Sequence, residues 1–201
     1  MASGAKALIS ELDALLPKRS DEERYSMLQE ICDLFLKHAP ACRADQVTVF
    51  GEVMMALVEI VRRDALVELS GKLAPVDNAP SKVAQRLARD DDMEIAGPML
   101  TQSNALTDKD LAEIIANKGP SHLKAVLTRA QLGSAVSDVL LERDDPALIY
   151  RLASSKEVHF SEVGIVKLVC AARNDKKLAE IVLRREDLPP EMLPFLKMAN
   201  A

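Results

Sequence analysis

Apolar residues recur at spacings of three and four along most of this chain, and Ser, Thr, Asp, Pro and Gly fall where the pattern breaks. A period near 3.6 puts the apolar positions on one face of a helix, and the breaking residues are those that start and stop helices. The pattern predicts an all-α protein. A first amphipathic segment runs from about Ala5 to Leu16 and ends at Pro17. The run SDEE from Ser20 has the form of a capping box and opens a second helix that reaches about His38, before Pro40. Asp45 is placed to cap a third, which carries Val49, Phe50, Val53, Met54, Leu57, Val58 and Val61 around most of its circumference and is expected to be buried. A fourth runs from about Asp64 to Leu73. Pro75 and Pro80 bracket APVDNAP, which divides the chain into residues 1–80, capping or dimerising helices, and residues 81–201.

Past Ser81 the pattern repeats. Leu106, Leu132, Phe160 and Leu188 form a column with steps of 26, 28 and 28 residues. One position after each stands Thr107, Gly133, Ser161 or Pro189, and eight positions after stands Ile114, Leu140, Leu168 or Leu196. Six positions before stand Leu100, Val126 and Val182, with Ser154 the exception and Leu152 nearby. Two short helices cannot bury their own apolar faces, so such pairs are expected to stack on their neighbours as a HEAT-like α-solenoid.

The three carboxylates of LARDDD, from Leu87 to Asp92, fit into that periodicity. Leu87, Arg89, Asp90 and Asp91 match Leu141, Arg143, Asp144 and Asp145 at an offset of 54, two repeat steps, and a reduced form stands at Arg173 and Asp175. The triplet is read as a turn in which Asp caps the next helix and Arg sits at the negative end of the one before.

Composition narrows the chemistry. Of 201 residues, 48% are hydrophobic, yet there is no Trp and only two Tyr and four Phe, so the core is aliphatic. Seven scattered Gly supply no phosphate-binding loop. A net charge of -5 opposes a broad nucleic-acid face. Cys32, Cys42 and Cys170 are odd in number and lack CxxC spacing, which fits a reducing cytoplasm, and no apolar run is free of charge for long enough to cross a membrane. A calcium loop from Asp90 would need Gly where Ile95 stands and Glu where Thr101 stands. His38, His122 and His159 lack zinc-ligand spacing, and the proximity of His159 to Cys170 in sequence is better explained by packing. No nucleophile motif is present, so no catalytic residue, metal or cofactor is assigned. Pro98 is expected to kink or shorten the helix from Asp92 to Leu100.

The surface candidates are basic. Arg89, Arg143 and Arg173 fall in nearly one repeat phase, and Arg129 and Arg185 share a second. Equal phase in a solenoid makes a row, which can grip an acidic or phosphorylated partner; the competing role is neutralisation of helix C-termini.

The run APSKVAQRLARDDDMEIAGPMLTQSNALTDKDLAEI, with SHLKAVLTRAQLGSAVSDVLLERDD and REDLPPEML, resembles domain of unknown function family 2336 of alphaproteobacteria. That resemblance implies a cytoplasmic bacterial protein of HEAT-like helical pairs, and it carries over no functional residues. The expected function is a non-catalytic protein-interaction module in regulation or signalling, with a protein partner and N-terminal helices able to pair two chains. One alternative is a sensor of a phosphate-bearing second messenger. Another is a nucleic-acid enzyme resembling the HEAT-like alkylpurine DNA glycosylases, which the acidic charge and missing Trp oppose.

Overall fold

The computed structural model describes residues 18–143 and 145–197. The helix expected over 5–16, and Asp144 of the repeated acidic motif, lie outside the described residues. Within them the chain is all-helical, with twelve α-helices: α1 (Asp21–His38), α2 (Ala44–Val58), α3 (Arg63–Leu73), α4 (Ser81–Ala88), α5 (Met93–Gln102), α6 (Asp108–Asn117), α7 (Pro120–Val126), α8 (Ser134–Leu141), α9 (Pro146–Ser154), α10 (Glu162–Ala172), α11 (Lys176–Leu183) and α12 (Leu193–Lys197). Short 3₁₀ turns occupy Ala39–Ala41 and Pro190–Met192.

The helices form two compact units. The first contains α1 to α5 and α7, the second α6 and α8 to α12. In the first unit α1, α3, α5 and α7 pack in succession, and α2 packs on α4 beside them. In the second, α6, α8, α10 and α12 form one succession, and α9 on α11 the other. Each unit is thus built of two layers.

Local chemistry sets the helix boundaries. Ser20 and Glu23 close the expected capping box: the Glu23 amide donates to Ser20 Oγ at 3.2 Å and the Ser20 amide to Glu23 Oε2 at 2.8 Å. Asp92, Asp145 and Asp175 cap α5, α9 and α11 through their side chains. Asp45 does not cap α2, because that helix begins one residue before it. Arg43 holds the cap position, its amide donates to the Gln46 side chain at 3.0 Å, and Asp45 pairs with the Arg43 guanidinium instead. Nor is α2 buried all round: Met54, Leu57 and Val58 are enclosed, but Val49 is 43% exposed. Pro98 does not end α5, which continues to Gln102. At Gly51, a Cβ would lie 2.8 Å from Pro80 Cβ, so only Gly lets α2 approach the start of α4 this closely.

The apolar column marks where four elements start. Elements begin at Asp108, Ser134, Glu162 and Pro190, each two residues after a column member. The +8 positions Ile114, Leu140, Leu168 and Leu196 are all at most 2% exposed. Leu100, Val126 and Val182 are fully buried, while at the exceptional Ser154 the buried role falls to Leu152 and Ala153. Between Leu132 and Val158 the extended links into α8 and α10 make one parallel bridge, with the Leu132 amide donating to Glu157 O at 3.2 Å and the His159 amide to Leu132 O at 3.0 Å.

Candidate functional site

The acidic triplet is occupied by the fold. Asp90 accepts from Arg86 Nη1 at 3.2 Å and from the Asp92 amide at 3.0 Å, while its carbonyl meets His122 Nε2 at 2.8 Å. Asp91 accepts from Lys118 Nζ at 2.5 Å. Asp92 caps α5 through the Glu94 amide at 2.9 Å and pairs with Arg63 through its other oxygen. Three carboxylates thus have three different cationic partners, and the Asp91 and Asp92 carboxyls are held below their ordinary range, chiefly by the hydrogen bonds from Lys118 and Arg63.

The five arginines divide by role. Arg89, in the first unit, is the C-cap of α4 and donates to Gln85 O at 3.2 Å. Arg143, in the second, donates to Ile115 O in the last turn of α6. The two are not structurally equivalent: α4 ends at Ala88 and α8 at Leu141, so Glu142 is the C-cap that corresponds to Arg89. Arg173 is the C-cap of α10, exposed and without a side-chain partner among the described residues. Arg129 is partly enclosed; burial pulls its guanidinium below the ordinary value and the charge of Asp108 opposes that shift.

Arg185 is the most heavily engaged, with a side chain only 7% exposed. Nη1 donates to the carbonyls of Leu152, Ala153 and Ser155 at 3.5, 3.1 and 2.8 Å, and Nη2 to that of Val158 at 2.7 Å. Nε and Nη2 also hold the Asp187 carboxylate at 2.8 and 2.7 Å, and the guanidinium carbon sits 4.7 Å from the Phe160 ring centroid. Its N–H groups therefore all face protein acceptors. It closes the C-terminal end of α9 and fixes the loop that follows.

Beside it, in the second unit, opens a cleft of about 480 Å³, the size of a small-ligand site. Arg185 and Asp187 line it, Ala153 and Ile181 give it apolar wall, and Lys156, His159, Arg184 and Glu186 stand around it. Lys156 and Glu186 approach only to 4.0 Å, with 87% and 93% of their side chains exposed. Arg184, the C-cap of α11, is exposed and has no side-chain partner among the described residues.

Residues 95–196 match the family described as "Uncharacterised protein conserved in bacteria (DUF2336)". The chain belongs to this family. The DUF2336 region takes in the whole cleft together with Arg129, Arg143, Arg173 and Arg185, whereas Arg89 and the acidic triplet precede it. No curated protein and no solved structure matches the chain.

Among the described residues no three His, Cys, Asp or Glu side chains are grouped so as to hold a metal, and no helix is long and apolar enough to cross a membrane. Cys32 is buried, and that burial pushes its thiol up to about 11; Cys170 is exposed. Lys156 and Arg184 escaped the sequence reading because no spacing marks them, and His159 was weighed there only as a zinc ligand beside Cys170. Only the adjacency of Arg184 to a repeat-phase arginine pointed nearby.

Proposed function

We propose that this chain is a non-catalytic, HEAT-like helical-repeat module that binds another protein, in cytoplasmic regulation or signalling, with helices before residue 80 serving to cap the repeats or pair two chains. The supporting observation is where its polar side chains are spent. Bonds between helices recur about one repeat apart: Asp91 with Lys118 and Asp108 with Ala135 at 27 positions, Ile115 with Arg143 at 28, and Tyr150 with Asp175 at 25. Carboxylates and guanidinia that could serve chemistry instead join one repeat to the next, as stacked helix pairs require.

What remains available is surface. On α10 Val163 and Val166 are 62% and 43% exposed, Phe195 on the adjoining α12 is 51% exposed, and Arg173 closes the same helix. Apolar residues with a cation beside them suit a protein contact. The test is affinity capture from a native bacterial lysate followed by binding of the purified partner. It compares wild type with a variant carrying Val166→Asp and Arg173→Gln, two exposed positions whose change should lower stability by no more than about 1 kcal/mol. A partner bound directly by wild type and at least about tenfold more weakly by the variant supports the reading. The absence of any directly binding partner, or equal binding by both, overturns it.

A further inference from the structure

We propose that the cleft between the ends of α9 and α11 binds a phosphoryl group, carried either by a small phosphomonoester or by a phosphorylated side chain. The inference stands apart from the partner reading, since it is measured on the purified chain alone.

Two neighbouring arginines differ in what they leave open to a ligand. Arg185 has its N–H groups directed at four carbonyls and one carboxylate, so it offers nothing further to a ligand. It does supply a fixed floor. It covers the last carbonyls of α9, whose negative end would otherwise repel an anion, and it neutralises Asp187. Arg184, one residue earlier, is exposed and unpaired among the described residues, and it lines the same cleft. Lys156 and His159 line it from the segment after α9; among the described residues no hydrogen bond engages the His159 ring, whose charge is felt by Asp187.

Once the Arg185–Asp187 pair is set aside, Lys156 and Arg184 face a single carboxylate, Glu186, which meets Lys156 only at 4.0 Å and almost wholly in solvent. A pair of that kind is weak and easily exchanged. The open donors thus come from two elements, α11 and the loop after α9, around a space larger than one anion. A dianion with three acceptor oxygens uses such separated donors better than a planar carboxylate does. The apolar wall of Ala153 and Ile181 leaves room for the group that bears the phosphate.

The test titrates isotope-labelled protein with inorganic phosphate, phenyl phosphate and a phosphoserine peptide, with acetate at matched ionic strength as the control. Amide resonances of residues 154–159 and 184–187 should shift saturably with the phosphoryl probes, at a Kd on the order of a millimolar or below. Tighter binding of phenyl phosphate would assign the site to small molecules, and tighter binding of the peptide to a modified partner. The double variant Lys156→Ala, Arg184→Ala should bind about tenfold more weakly with unchanged melting, because neither side chain supports the fold. Glu186→Gln, which removes the competing carboxylate, should bind two- to threefold more tightly, a rough figure for one exposed pair. No saturable shift by about 20 mM, equal shifts with acetate, or an unaltered response in the double variant would overturn the proposal.

Discussion

The Asp108 carboxylate accepts the amide hydrogen of Ala135 at 2.7 Å, so the first residue of α6 caps α8. Gly133, at the N-cap position of α8, has no side chain to do so itself. A Cβ there would lie 2.5 Å from both Asp108 oxygens, and glycine is therefore what admits the carboxylate. Gly133→Ala is expected to cost about 1–2 kcal/mol by displacing that cap, and Asp108→Ala a similar amount. The double variant should lose clearly less than the sum of the two, as read from urea unfolding. Additive losses would show that glycine and carboxylate act independently.

Arg185 serves as a tie between α9, its following loop and Asp187. Replacing it by Met leaves partly buried carbonyls unpaired and should cost about 2–4 kcal/mol. Arg185→Lys should recover less than half of this, since an ammonium cannot reproduce the guanidinium fork. Thermal melting compared across the three proteins would reveal a mere packing role if Met and Arg proved equal.

Acid should loosen the same tie. The hydrogen bonds from Arg185 hold the Asp187 carboxyl below its ordinary range, despite some opposing burial. A depressed folded-state value means that the ionised form favours the native state above the unfolded value near about 4, and that this contribution disappears as pH falls through the folded one. Asp187→Asn should therefore be less stable at neutral pH yet lose less on acidification. Parallel acid limbs in the two stability profiles would contradict the assignment.

Thiol chemistry should separate the cysteines. Cys170 is exposed on α10 and should react with an aromatic disulfide reagent near pH 8 at least about tenfold faster than Cys32, which is buried and whose thiol is pushed up to about 11. Cys32 should react only on unfolding. Similar rates for the two in native protein would mean that the core around Cys32 opens readily.

Most of the helices were legible because their signals are local. The Ser20–Glu23 box and the Asp145 and Asp175 caps each involve residues within one turn, and the apolar column shows as the same local pattern recurring every 26 to 28 positions. The Asp45 cap was misread by one residue, since Gln46 can reach back to the Arg43 amide just as an acidic cap would. Matching LARDD to LERDD by letters also misled by one position: fully buried Leu87 corresponds to fully buried Leu140, and Arg89 to Glu142. Identical letters aligned what burial does not. Of the role of Arg185 only its neighbour Asp187 was legible, because its other acceptors are backbone carbonyls about thirty positions earlier, and carbonyls leave no trace in a sequence.

The side-chain hydrogen bonds that link one helix to another span from 23 positions, where the Ser161 amide donates to Asp138, to 43, between Tyr25 and Glu68. Loops of that length close at small entropic cost, and chains dominated by near-neighbour contacts cross low folding barriers. Within each unit a helix can therefore pack on an earlier neighbour soon after leaving the ribosome, before the rest of the chain has been made. The arrangement suits a protein that is completed piece by piece during its own synthesis.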